Sequence, residues 1–179
     1  MLRKLYLEKW KPDYKADNLL EIDWAEFKSE GIEFVFLDID NTLAEHGSRQ
    51  ADQYAHQVVN LIREHDLPLC ILSNALNDRI EEYAKSLNVD FMGQANKPST
   101  KQITAKLKEL NVEPGNTLLI GDQLFTDIWA GNKAGCVTIL VKQRFLKEAF
   151  QVRIKRGLER FLLSRYDNHT DKAKNSDRN

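Results

Sequence analysis

Between Phe34 and Leu140, short and almost uninterrupted apolar runs alternate with stretches whose apolar residues recur at intervals of three and four. The runs Phe34–Leu37, Leu69–Leu72, Val89–Met92, Thr117–Ile120 and Val137–Val141 read as buried strands. Between them, Tyr54, Val58, Leu61 and Ile62, then Ile80, Tyr83, Ala84 and Leu87, then Ile103, Leu107 and Leu110 mark helices with one apolar stripe each. Strands joined through single helices give a mostly parallel sheet covered by helices, so an α/β fold is expected. The third helix should open at Pro98-Ser99-Thr100, with proline in its first turn. A shorter one is expected over Thr126–Ala134, stopped by Gly135.

The two ends differ from this middle. Residues 1–33 scatter Trp10, Tyr14, Trp24 and Phe27 among many charges, and their pattern matches no element; they are expected to pack as an extension on the 34–141 core. From Lys142 onward the stripe Leu146, Phe150, Ile154, Leu158, Phe161 and Leu162 predicts one long amphipathic helix, assigned to 142–166. Residues 167–179 hold no apolar side chain larger than Ala173 and are expected to be a disordered tail.

A chain of 179 residues suits one domain, and a net charge of −1 excludes a wholesale polyanion binder. No apolar run approaches the length of a membrane span, and the N-terminal stretch lacks the apolar segment of a secretory signal. Cys70 and Cys136 show no paired spacing, so two buried free thiols in a reducing cytoplasm are expected.

The first apolar run ends in Asp38-Ile39-Asp40-Asn41-Thr42. Two carboxylates at a strand end are costly to bury without a cation or hydrogen bonds. In an open parallel sheet the carboxyl ends of the strands are where ligands bind. Ser73-Asn74, Lys97-Pro98 and Gly121-Asp122, with Asp127 shortly after, follow later strands and should reach the same edge. An acid cluster, a hydroxyl with an amide, and one cation can together hold Mg²⁺ and a phosphate. Taken singly, each residue has a plainer reading: a turn or cap for a strand-end Asp or Ser73, a solvated charge for Lys97, a helix-start acid for Asp127.

In order along the chain, Asp38-x-Asp40-x-Thr42, Ser73, Lys97 and Gly121-Asp122-x-x-x-x-Asp127 resemble the four signatures of the haloacid dehalogenase-like (HAD) phosphohydrolases. Leu37–Leu43, Ser73-Asn74-Ala75, Asn96-Lys97-Pro98 and Ile120–Ile128 are most similar to the cap-less subfamily IIIA, the YqeG-type proteins, which are related to mitochondrial phosphatidylglycerophosphate phosphatases. The resemblance implies a Rossmann-like three-layer αβα domain with a five-stranded sheet. It implies Asp38 as nucleophile, forming an aspartyl-phosphate, and Asp40 as general acid and base. Mg²⁺ is expected on Asp38, the main-chain carbonyl of Asp40, and Asp122. Ser73, Asn74 and Lys97 are expected on the phosphate, with Thr42 supporting the first loop and Asp127 orienting the metal's water or Lys97.

The intervals between signatures leave no room for a large cap domain, so the site should be open and reachable by bulky substrates. From Lys142 to Arg165, eight Lys and Arg face Glu148 and Glu159, a net charge of +6. Such a helix either docks its stripe on the core or rests on an anionic membrane surface from the cytoplasmic side. Nucleic acid is not expected, because no stacking aromatics interleave the charges. A phosphatase of membrane phosphate esters is the expected function. A phosphatase of soluble sugar or nucleotide phosphates, a phosphotransferase, and a non-catalytic phosphate-binding or assembly module remain as alternatives.

Overall fold

The computed structural model describes residues 2–145 and 157–167. Helix α1 (Leu2–Leu5) continues as a π-helical turn, Tyr6–Trp10, into strand β1 (Tyr14–Ala16), a 3-10 turn Leu19–Glu21 and α2 (Trp24–Ser29). Then come β2 (Phe34–Leu37), α3 (Gln53–Glu64), β3 (Leu69–Leu72), α4 (Asn77–Leu87), β4 (Asp90–Met92), α5 (Lys101–Leu110) and β5 (Thr117–Gly121). A π-helical turn, Leu124–Ile128, runs into α6 (Trp129–Ala134), and β6 (Val137–Val141) follows. Residues 157–167 are helical.

The strands form one parallel sheet in the order β1-β6-β5-β2-β3-β4. Side chains alternate across it, as strand geometry requires. Val35, Leu37, Ile71 and Ile120 pack with Phe27 of α2, Val58 and Ile62 of α3 and Tyr83 of α4. Phe34, Phe36, Leu72 and Leu119 pack with Ile103 and Leu107 of α5 and Ala130 of α6. Helices therefore cover both faces, giving the Rossmann-like three-layer αβα arrangement. Every residue of β2, β3 and β5 is buried, which is why those segments read as unbroken apolar runs. Both thiols are free and buried.

The sheet has six strands rather than five. β1 lies at the edge with Tyr14 opposite Ile139 and Ala16 opposite Val141. Its three residues are exposed or half-buried, so no apolar alternation marks it. Pro98 also departs from expectation: it sits in a turn after a cis Lys97–Pro98 bond, and α5 starts at Lys101. Gly135 ends α6 as expected, with φ +83° and its N–H donating to the Asn132 and Gly131 carbonyls.

The helix expected from Lys142 does not begin there. Residues 142–145 leave β6 as extended chain and a bend, because their amides are used elsewhere: Lys142 N–H donates to Ala16 O (3.1 Å) and Arg144 N–H to Asn41 O (2.9 Å). Leu146, Phe150 and Ile154 of the predicted stripe, and the tail from residue 168, lie outside the described residues. The helical part at 157–167 docks on the core. Leu162 is buried with Tyr6, Leu124 and Ile128, and the Glu159 carboxylate accepts Phe125 N–H (3.2 Å). Leu158 and Phe161 remain 53% and 49% exposed.

Candidate active site

Asp38 begins where β2 stops, and its N–H still bonds Ile120 O of β5 (3.0 Å), so the strand carries it to the sheet's carboxyl edge. Lys97 Nζ lies 2.6 Å from Asp38 Oδ1, 2.6 Å from Asp127 Oδ1 and 2.8 Å from the Leu72 carbonyl. Asp38 and Lys97 are 6% exposed, Asp122 3% and Asp127 1%. Carboxylate oxygens of Asp38, Asp122 and Asp127 lie within 4.8 Å of one another. Asp127 comes this close because Gly121 has no side chain: a Cβ there would sit 2.4 Å from the Asp127 carboxyl carbon. Asp127 Oδ2 is also held by Gln123 N–H (3.1 Å).

Burial pushes the Asp38 carboxyl well above the usual carboxylate range; the Lys97 ammonium opposes this, while Asp127, Asp122 and Asp40 add to it. For Lys97, burial works against the charge, but Asp127 and Asp38 outweigh it and raise its pKa, so it stays an ammonium. Among the described residues, Lys97 is set between Asp38 and Asp127, with Asp122 beside them, and the all-oxygen donor set of these three carboxylates suits a hard divalent cation.

The loop after β2 is closed tightly. Thr42, Leu43 and Ala44 N–H groups all donate to the Ile39 carbonyl (2.9–3.0 Å), and Asn41 takes a left-handed conformation, φ +64°. Thr42 is buried within this loop. The Asp40 carboxylate lies outside the acid triad, with Oδ2 2.5 Å from Arg79 Nη2 and Oδ1 accepting Gly47 N–H (3.2 Å). His46 Nδ1 stands 3.4 Å from the same Oδ1. Ser73 is buried at the end of β3, its Oγ accepting Ala75 N–H (3.2 Å). Both ends of the Asn74 amide are engaged by the Lys97 main chain: Nδ2 donates to Lys97 O (3.1 Å) and Oδ1 accepts Lys97 N–H (2.6 Å). Asn74, expected on the phosphate, thus holds the turn that carries Lys97.

Comparison with known proteins meets this geometry. A family model described as HAD-hydrolase-like matches residues 94–149. Over 164 residues the chain is 30% identical to the probable phosphatase YqeG of Bacillus subtilis, covering 92% of this chain and 93% of that one. The chain belongs to the YqeG-type HAD phosphatases. It is also 28% identical over 165 residues to the chloroplastic/mitochondrial phosphatidylglycerophosphate phosphatase 1 of Arabidopsis thaliana, covering 87% of this chain and 47% of that longer protein. The fold is shared with the cobalt-bound deoxy-D-mannose-octulosonate 8-phosphate phosphatase of Haemophilus influenzae (TM-score 0.51, 16% identity, 78% of this chain and 92% of that one). NagD of Escherichia coli has the same fold (TM-score 0.51, 18% identity, 65% and 90%).

In this HAD phosphatase no cap is inserted: a loop and α3 separate β2 from β3, and α4 alone separates β3 from β4. Two arginines at the site escape a reading of sequence. Arg79 lies in the first turn of α4, where a cation opposes the helix dipole; that misfit is the signal that could have found it. Arg144 follows β6 and stacks on the Tyr54 ring (3.7 Å), bonds the Leu43 carbonyl, and pairs with Asp52 (3.0 Å), the N-cap of α3. It clamps the loop after Asp40 to α3, and nothing in its spacing announces that.

Proposed function

We propose that the protein hydrolyses phosphate monoesters with Mg²⁺ through an aspartyl-phosphate on Asp38. The observation that carries this reading is the buried Asp38–Lys97–Asp127 ion-pair chain beside Asp122. Asp38, Asp122 and the Asp40 main-chain carbonyl are the proposed ligands of Mg²⁺. When bound, the ion offsets the repulsion between carboxylate and phosphate and draws charge from the phosphoryl oxygens. Lys97 holds Asp38 Oδ1, and Asp38 Oδ2 is the proposed attacking oxygen. As that oxygen bonds phosphorus, the ester P–O bond breaks and Asp40 gives its proton to the departing oxygen. Asp40 then takes a proton from a water that attacks phosphorus and releases Asp38. Lys97 and the Ser73 hydroxyl are the proposed partners of the phosphoryl oxygens, held there by the Asn74 amide and the end of β3.

The preferred substrate we infer is a bulky membrane phosphate ester of the phosphatidylglycerophosphate type. The lack of a cap supports an open site that a headgroup can reach. The plant relative's name points the same way. Asp38→Asn should lower kcat on an aryl phosphate by about 10⁴-fold or more, as for other lost nucleophiles. Full Mg²⁺-dependent turnover by that variant contradicts the mechanism. Phosphate release from mixed micelles is expected to exceed release from soluble sugar and nucleotide phosphates; a single soluble metabolite with the higher kcat/KM overturns the lipid assignment.

A further inference from the structure

The loop after Asp40 is fastened along α4. Ala51 N–H donates to Ser86 Oγ (3.1 Å), Arg49 and Gln50 reach the Glu82 carboxylate (2.8 and 3.2 Å), and Arg79 Nη1 donates to the Ser48 carbonyl (3.2 Å). Of these side chains, Arg79 also meets a proposed reacting group, Asp40 Oδ2, at 2.5 Å through Nη2. The pair is largely shielded, with the Arg79 and Asp40 side chains 12% and 17% exposed. Asp40 Oδ1 points instead to Gly47 N–H and His46. The first turn of α4 offers a guanidinium no dipole stabilisation, so the Asp40 carboxylate and the Ser48 carbonyl are what hold it there.

We propose that Arg79 is a positioning residue for Asp40: one prong grips Oδ2 and the other the Ser48 main chain, so the carboxyl group is held in one orientation and the proton it gives to the leaving-group oxygen is carried on Oδ1. This rests on the reading of Asp40 as general acid. As Asp38 Oδ2 bonds phosphorus, the electron pair of the breaking P–O bond goes to the leaving oxygen, which takes the proton from Asp40 Oδ1. In the second step water bonds phosphorus, its proton passes to Asp40, and the P–O bond to Asp38 breaks. Lysine supplies the charge but not the two-pronged grip.

Leaving-group chemistry provides the test, because an alkoxide needs the proton and 4-nitrophenolate does not. Arg79→Gln should lower kcat/KM for glycerol phosphate by about a hundredfold and for 4-nitrophenyl phosphate by less than about fivefold, within the range of general acid effects. Arg79→Lys, the fallback should the Gln variant not fold, is expected to recover part of the alkyl activity. In an Asp40→Asn background, Arg79→Gln should cost nothing further. Arg49→Gln loosens the same loop without touching Asp40 and should leave the ratio of the two substrates unchanged. Equal losses on both esters, an added loss in the Asp40→Asn background, or an equal split from Arg49→Gln overturns the proposal. Asp40→Asn separates the two levels. If it shows the split and Arg79→Gln does not, only the role of Arg79 falls; if it shows none, the general-acid reading falls as well.

Discussion

The carboxyl edge of the sheet and the seam between the two chain ends are both well buried, but they hide opposite kinds of side chain. At the edge, Asp38, Asp122, Asp127 and Lys97 are withdrawn from water. At the seam, Tyr6, Leu124, Ile128 and Leu162 pack together, with Trp10 set edge-on to Phe125 (5.0 Å) and Tyr6 near Tyr166 (5.7 Å). The first costs desolvation that only pairing or a bound cation can offset; the second gains from removal of apolar surface. The two regions meet in one helical turn. In Leu124–Ile128, Asp127 turns to the acid cluster, while Leu124 and Ile128 turn to the seam. On the proposed mechanism the charge buried at the edge serves chemistry, and the seam holds the turn that delivers part of it.

Lys97→Met should separate the regions most strongly. It leaves Asp38 and Asp127 without their shared cation, a loss of about 3–5 kcal/mol for a broken buried pair, read from urea unfolding of metal-free protein. A variant as stable as the parent would mean the edge does not depend on pairing. Leu162→Ala should cost about 3 kcal/mol through a cavity in the seam, with kcat/KM unchanged at a temperature where the protein stays folded. If activity falls in step with stability, the seam belongs to the site. Mg²⁺ at about a hundredfold excess over its Kd should raise stability by about 2.7 kcal/mol, and EDTA should remove the gain together with activity. Asp122→Asn is expected to shrink that increment in calorimetry while leaving the effect of Leu162→Ala intact.

The readability of the two regions follows from the same contrast. β2, β3 and β5 are buried on both faces, so they are apolar at every position except Thr117, whose hydroxyl donates to the Glu113 carbonyl, and the polar residues at their carboxyl ends stood out. Asp38, Ser73 and Asp122 were therefore visible as strand-end groups, and parallel pairing alone brings them to one edge. Nothing local marked β1: its three residues gain only one neighbour and stay partly in water. The terminal helices were opaque for a related reason. Leu162 pairs with Tyr6 across almost the whole length of the chain, and neither stripe shows which surface it will find. Arg79 and Arg144 carry no local signal of their contacts, because each acts through a partner distant in sequence, Asp40 and the Asn41–Leu43 loop.

The layered α/β architecture, the strand-end edge where the acid cluster lies and the residue types gathered there were all written in the apolar pattern, because burial on two faces and the direction of a parallel strand are local consequences of it. The packing of the elements, not their order, puts Lys97 between Asp38 and Asp127, Asn74 on the Lys97 main chain, and Arg79 on Asp40. Those pairings depend on distances between elements, which packing sets and spacing along the chain does not encode.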